Sequence, residues 1–251
     1  MTLDQLFILL PAFFLIAGLY TSVGHAGASG YLAVMALLAI APETMRPTAL
    51  ALNILVASFT FIRFAGAGYF SWRALWPFLL GSMPLAALGG SMRLATGIYY
   101  VLAGVALAWS SSVLAWRAVS RPPTENLADK ARIPMLPAIG CGAVIGLLSG
   151  LTGTGGGIFL SPILLLAGWA GPRHTGGITA PFILANSAIA LAAGTATWAA
   201  LPAELPWLAC AVLAGALTGT WLGLKRLSTR WLLATMSLVL AIAAGKLMLT
   251  A

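Results

Sequence analysis

The stretch that decides the fold is Gly150–Pro162, which reads Gly-Leu-Thr-Gly-Thr-Gly-Gly-Gly-Ile-Phe-Leu-Ser-Pro. Five of its first eight residues are glycine, and apolar runs that favour helix flank it on both sides. Because each glycine costs a helix about 1 kcal/mol relative to alanine, the stretch predicts a break in a helix. A helix that restarts near Ile158 presents free N–H groups and a partial positive charge, which together bind an anion.

The composition is that of an integral membrane protein. Of the 251 residues, 61% are hydrophobic and 7% are charged, whereas a soluble domain has about 25% charged residues. In lipid, unwound backbone is tolerated only where protein buries it or where it lines a water-filled cavity, so the glycine break is expected to face a site. The net charge is +8, and the basic residues that cause it lie mostly between the apolar segments or at their ends. Membrane topology and contact with anionic lipid explain such basic residues better than binding to nucleic acid does. No metal-ligand spacing is visible, and no cofactor is predicted.

The apolar segments number ten, five on each side of a polar linker. They span approximately 5–23, 31–41, 48–66, 74–92, 95–116, 136–151, 158–170, 175–197, 206–224 and 230–249. A shift of about 128 positions aligns the two halves and places Gly27 on Gly155 and Gly66 on Gly194. This pattern predicts an internal duplication within one membrane domain, residues 1–251. Repeat 1 is predicted at 1–117, a cytoplasmic linker at 118–134 and repeat 2 at 135–251.

Each repeat contains one glycine-rich break, since Gly24-His25-Ala26-Gly27-Ala28-Ser29-Gly30 is the first-half counterpart of the second break. The segments that follow the breaks, 31–41 and 158–170, extend only about 16 and 20 Å as helices, whereas the hydrocarbon core is about 30 Å thick. We therefore predict an all-α integral membrane protein built from two inverted-topology repeats. Each repeat is predicted to be a glycine-broken re-entrant helical hairpin, with its tip near mid-bilayer, plus three transmembrane helices.

Basic residues between the segments predict the orientation in the cell (inner) membrane. Ten lysines and arginines lie on the side of the linker, and three lie on the opposite side: Arg46, Arg93 and Lys246. Since cytoplasmic loops carry the excess of positive charge, the linker side is predicted to be cytoplasmic and both termini to be non-cytoplasmic. An odd number of crossings per half inverts the second repeat, and inverted repeats with broken helices are typical of secondary transporters.

Candidate substrate ligands are glycine and polar residues of the two breaks and of segment 175–197. They are Gly24, His25, Gly27, Ser29, Gly30, Thr152, Thr154, Gly155, Gly156, Gly157, Asn186 and Ser187. No carboxylate is predicted at membrane depth, which argues against cation transport and favours a neutral or anionic solute. His25 is the only ionisable group in either break and is the candidate for proton coupling, with a structural role as the alternative. Hydrogen bonding between helices explains Asn186 and Ser187 equally well, and close helix packing explains Gly89-Gly90.

An intramembrane protease is the enzyme alternative. Gly27-Ala28-Ser29-Gly30 resembles the serine motif of rhomboid proteases, and His174-Thr175-Gly176-Gly177 resembles their histidine segment. A Ser–His pair is the chemistry that such proteolysis requires. The two elements lie in different halves, however, and the upstream oxyanion segment of rhomboids is missing, so we expect no enzymatic activity.

With Thr152-Gly153-Thr154-Gly155-Gly156-Gly157 followed by Pro162, and a weaker copy at Gly24–Gly30, the chain resembles the sulfite exporter TauE/SafE family of membrane permeases. The resemblance covers nearly the whole chain. It implies a secondary transporter for a small sulfur-containing anion, such as sulfite, an organosulfonate or a related oxyanion, with Gly27, Ser29 and Thr154 to Gly157 lining the anion site. A channel-like anion pore of the same architecture is the alternative. The sequence leaves open the direction of transport, the coupling ion and whether the chain forms a homodimer.

Overall fold

The computed structural model describes residues 3–119, 133–194, 200–225 and 229–250, and these residues form helices and no strand. The helices in these ranges are α1 (Leu3–Ser22), α2 (Ala28–Leu37), α3 (Pro42–Gly66), α4 (Trp72–Ser91), α5 (Thr96–Val119), α6 (Met135–Thr152), α7 (Gly157–Leu166), α8 (Pro172–Ala193), α9 (Leu205–Lys225) and α10 (Thr229–Thr250). Each predicted apolar segment corresponds to one helix. Seven helices of the described part are long and apolar enough to cross a membrane, namely α1, α3, α4, α5, α6, α8 and α9. The prediction of an all-α, multi-pass membrane protein is confirmed.

Both predicted breaks are present. α1 ends at Ser22 and α2 begins at Ala28, while α6 ends at Thr152 and α7 begins at Gly157. Five glycines in the breaks have φ between +75° and +105°: Gly24, Gly27, Gly153, Gly155 and Gly156. Glycine adopts this left-handed conformation freely, whereas an L-residue pays for it. The helices that follow, α2 and α7, have ten residues each, or about 15 Å of length, and are too short to cross a bilayer. Their re-entrant arrangement stays a prediction.

The boundary of α3 corrects the predicted loop charges. α3 begins at Pro42 rather than near residue 48, because proline is well suited to the first helical position and Glu43 favours the first turn. Arg46 therefore lies inside a helix and is buried, and Lys246 lies inside α10. Counting Arg46 between the segments was wrong, whereas Lys246 lies in a helix as segment 230–249 predicts, and that side still has the smaller positive charge.

The long helices pair across the two halves of the chain. α4 packs along α6, α1 along α9, α3 along α8 and α5 along α10. Under the predicted correspondence of α1 with α6 and of α4 with α9, the first two pairs are equivalent. The pairing is compatible with an internal duplication, which stays a prediction. The predicted linker overlaps the last two residues of α5, and its residues 120–132 lie outside the described residues.

Glycines bring the paired backbones into direct contact. A Cβ atom on Gly146 would lie 2.2 Å from the Ser82 carbonyl oxygen, and one on Gly219 would lie 2.0 Å from that of Gly18. Gly90 meets α8 in the same way, since a Cβ atom there would lie 2.5 Å from the Ala190 carbonyl oxygen. Close helix packing, the interpretation that the sequence offered for Gly89-Gly90, is confirmed for Gly90.

Candidate functional site

The second break is enclosed by α3 and α8. A Cβ atom on Gly155 would lie 2.4 Å from Asn53 Nδ2 and 2.9 Å from Ser187 Oγ, and one on Gly157 would lie 2.4 Å from Ile183 Cδ1. Gly156 is equally confined, because its Cβ position lies 2.9 Å from the Phe182 ring. Residues 152–160 are all buried. Protein therefore surrounds the unwound backbone, which is the condition under which a membrane tolerates it.

Asn53 joins the two breaks through one carboxamide. It lies on α3 and is completely buried. Its Oδ1 accepts a hydrogen bond from the N–H of Ala28, the first residue of α2, at 3.1 Å. Its Nδ2 donates to the Thr154 carbonyl oxygen at 3.4 Å and to Ser187 Oγ at 3.3 Å. The sequence analysis missed Asn53, although an amide inside apolar segment 48–66 is the same signal that singled out Asn186.

His25 connects the first break to α7 and α8. Its Nε2 lies 2.8 Å from Ser161 Oγ, which lies 3.0 Å from Thr179 Oγ1. Its Nδ1 lies 3.3 Å from the Val23 carbonyl oxygen. Because a carbonyl only accepts, Nδ1 carries the proton in the neutral ring, and Nε2 is the nitrogen that gains a proton when the ring becomes charged. Any proton taken up by His25 therefore arrives on the side of Ser161.

Each break makes further contacts, the first with α8 and the second within itself. A Cβ atom on Gly24 would lie 2.2 Å from Gly176 Cα on α8, so the first break contacts a helix of the second half. In the second break, Thr152 Oγ1 donates to the Leu148 carbonyl oxygen at 2.7 Å and lies 3.0 Å from Thr154 Oγ1. Because the only hydroxyl proton of Thr152 is donated to Leu148, the Thr154 hydroxyl is the donor in the hydrogen bond between the two threonines.

Three predicted site residues have partners elsewhere. Ser29 Oγ lies 2.7 Å from the Tyr20 hydroxyl oxygen on α1. A Cβ atom on Gly30 would lie 2.5 Å from Ile16 Cγ2, so Gly30 packs on α1 as well. Asn186 Nδ2 donates to the carbonyl oxygen of Phe182 in its own helix at 2.9 Å, and its buried Oδ1 has no partner among the described residues. The structure therefore does not bring Ser29, Gly30 or Asn186 into the hydrogen-bond set around Asn53.

The two short helices begin in the same way. Gly27 and Gly156 are their N-cap residues, and both have left-handed φ. The first N–H groups of any helix lack partners within the helix and carry about half a positive charge, so such an end binds anions. At the start of α2 the amide oxygen of Asn53 occupies one of these donors. The arrangement offers backbone N–H donors and partial positive charge, which are the groups that suit a small anion.

The residues of the protease alternative do not pair. Ser29 is hydrogen-bonded to Tyr20, and the His174 ring packs edge-on against the Tyr69 ring, with centroids 5.3 Å apart. The Ser29–His174 pair that proteolysis requires is therefore not formed.

Comparison with known proteins shows the family of the chain. The sequence profile of the family described as "Sulfite exporter TauE/SafE" matches residues 9–247. The chain is 41% identical over 237 residues to the "Probable membrane transporter protein" of Sinorhizobium fredii, and the match covers 94% of this chain and 96% of that protein. No solved structure matches the chain significantly. This chain belongs to the sulfite exporter TauE/SafE family and is a membrane transporter of that type.

Proposed function

We propose that the chain is a secondary transporter that moves a small sulfur-containing anion, such as sulfite or an organosulfonate, across the cell membrane. The observation that carries the proposal is the pair of buried helix starts, at Gly27 and Gly156, with Asn53 bonded to Ala28 after one and to Thr154 before the other. Both helix starts attract negative charge. The name of the matching family supports sulfite-like cargo.

The mechanism that we propose uses two inverted repeats, with the cytoplasmic face on the side of the linker and both termini on the opposite side. Side-chain hydrogen bonds join the halves at the breaks, among them those of Asn53 with Thr154 and Ser187 and that of His25 with Ser161. Hydrogen bonds between membrane helices are worth only about 0.6 kcal/mol on average, so such contacts can exchange as the halves move. An anion that accepts from the Ala28 N–H in place of the Asn53 amide oxygen would break this hydrogen bond between α3 and α2.

Flux measurements in proteoliposomes test the proposed substrate class. We expect uptake of radiolabelled methanesulfonate and sulfite to exceed uptake of acetate at least about tenfold, since a sulfonate has three weakly basic oxygens for N–H donors and is desolvated more easily than a carboxylate. Methanesulfonate and acetate form a matched pair, because both carry one methyl group and one negative charge. A preference for acetate or for a monovalent cation would contradict the proposal.

Flux measurements in the same proteoliposomes distinguish a transporter from a channel-like anion pore. A transporter that alternates between two states saturates with substrate and is accelerated by unlabelled substrate on the opposite side. An open pore shows neither property. Linear, unstimulated flux of methanesulfonate would favour the pore.

We further propose that His25 is the proton-coupling residue. In the wild type, flux of methanesulfonate should change with pH between about pH 5 and 8, since histidine can change its charge near physiological pH. His25→Gln keeps hydrogen-bonding capacity but cannot titrate, so its flux should be independent of pH. Methanesulfonate is the appropriate probe because its own charge is constant over this range.

His174→Gln is the matched control for His25→Gln. His174 lies at the start of α8 beside Tyr69 and takes no part in the contacts between the breaks. Its replacement should leave the pH profile as in the wild type. An unchanged pH profile in His25→Gln would remove His25 from the coupling mechanism.

A further inference from the structure

Arg46 is a buried cation at the second break. It lies in the second turn of α3 and is 9% exposed. Its guanidinium donates to the carbonyl oxygens that end α4, at 2.7 Å to Gly89, 2.7 Å to Gly90 and 3.0 Å to Met92. Arg46 thus caps the carboxyl end of α4.

Capping α4 leaves part of the positive charge and one N–H donor of Arg46 without a partner among the described residues. The carboxyl end of a helix carries about half a negative charge, whereas the guanidinium carries a full positive charge, so about half a charge stays uncompensated. The hydrogen bonds of Arg46 within the described chain go to carbonyl oxygens and not to a carboxylate. The Nε atom is buried and has no hydrogen-bond partner among the described residues. A buried donor without an acceptor is costly, and a ligand that accepts from it would remove that cost.

Arg46 and Asn53 contact the same segment. They are seven residues apart on α3, which places them on one face of the helix and about 10 Å apart along its axis. A Cβ atom on Gly153 would lie 2.9 Å from Arg46 Cγ, and one on Gly155 would lie 2.4 Å from Asn53 Nδ2. One face of α3 therefore packs the side-chain stem of Arg46 and the amide of Asn53 against the second break.

We propose that Arg46 is a specificity-determining residue that binds the anionic substrate beside the second break, through its Nε–H and its uncompensated charge. The inference rests on the proposed anion transport. The planar guanidinium presents donors in a geometry that matches an oxyanion. The uncompensated part of the Arg46 charge adds to the partial positive charges of the two helix starts, and it favours anions over neutral solutes of the same size.

The test compares full-length Arg46→Gln, Arg46→Lys and Arg93→Gln with the wild type. Arg93 is the matched control because it is exposed and follows α4 directly, one residue beyond Met92. The measurements are KM for methanesulfonate flux, the rise in unfolding temperature with sodium sulfite at constant ionic strength, and the unfolding temperature without anion. We expect Arg46→Gln to raise KM at least about tenfold and to lose the sulfite-induced rise, as one charge-assisted hydrogen bond predicts.

Arg46→Lys keeps the charge but not the Nε–H donor, and should raise KM less than Arg46→Gln does, while Arg93→Gln should behave as the wild type. A lower unfolding temperature of Arg46→Gln with wild-type KM would mean that Arg46 only caps α4, and would overturn the inference while the proposed transport stands. If Arg46→Gln does not fold, Arg46→Lys decides, because a wild-type KM and sulfite response in that variant would overturn the inference. A wild type that neither transports methanesulfonate nor responds to sulfite would overturn the inference and the proposed function together.

Discussion

Replacing Asn53 with alanine is expected to reduce anion flux at least about tenfold and to destabilise the protein by roughly 1–3 kcal/mol. The substitution leaves three buried groups without their partner: the N–H of Ala28, the carbonyl oxygen of Thr154 and the hydroxyl of Ser187. These groups belong to both breaks and to α8. Without the hydrogen bonds of Asn53, the two helix starts that we propose as the anion site are no longer held together. Flux of methanesulfonate in proteoliposomes and the midpoint of thermal unfolding measure the two effects.

Thr60→Ala is the matched control for Asn53→Ala. Thr60 is also completely buried on α3, seven residues further along, but its hydroxyl donates to the Val56 carbonyl oxygen in the same helix at 2.8 Å. Its removal deletes a buried polar group without touching the breaks, so flux should stay within about twofold of the wild type. Equal losses in the two variants would show that Asn53 acts through the stability of α3 alone.

Gly155→Ala is expected to abolish transport, because alanine meets two obstacles at this position. Gly155 has φ +75°, a conformation that costs an L-residue about 1–2 kcal/mol. The added Cβ atom would lie 2.4 Å from Asn53 Nδ2 and 2.9 Å from Ile183 Cγ2. The amide of Asn53 must then leave its hydrogen bonds, so the effect of Asn53→Ala is added to the strain. Flux and unfolding temperature again provide the measurement.

Gly68→Ala separates strain from contact. Gly68 lies in the loop between α3 and α4 with φ +83°, and no atom lies within 4 Å of its Cβ position. It therefore carries the strain of a left-handed alanine and none of the contacts. We expect a loss of about 1–2 kcal/mol in stability with flux largely retained. If Gly68→Ala stopped transport as completely as Gly155→Ala, the contact with Asn53 would have no special role.

The helices of this chain were predictable because their signals are local. Long apolar runs, a proline at the start of α3 and clustered glycines in the breaks act on the nearest few residues, and a membrane adds the requirement that each span be about 20 residues long. The start of α3 was misplaced because Glu43 and Arg46 were interpreted as loop charges, whereas both lie in the first two turns of the helix. That error also concealed Arg46 as a buried cation.

The partners of the site residues were not predictable in the same way. Asn53 and Thr154 are 101 positions apart, and His25 and Ser161 are 136 positions apart, so no spacing along the chain relates them. Ser29 and Asn186 were predicted as substrate ligands because their side chains are polar. In the structure, each is hydrogen-bonded to a nearby residue of its own half, Ser29 to Tyr20 and Asn186 to Phe182.

The amino-acid sequence by itself determined that this is a helical membrane protein with two glycine breaks, because hydropathy and the conformational freedom of glycine act locally. The tertiary structure alone decided that Asn53 bridges the two breaks, that His25 faces Ser161 and that Arg46 is buried against Gly153. The physical reason is that a buried polar group bonds to the partners that packing brings to it, and packing joins helices that are distant along the chain.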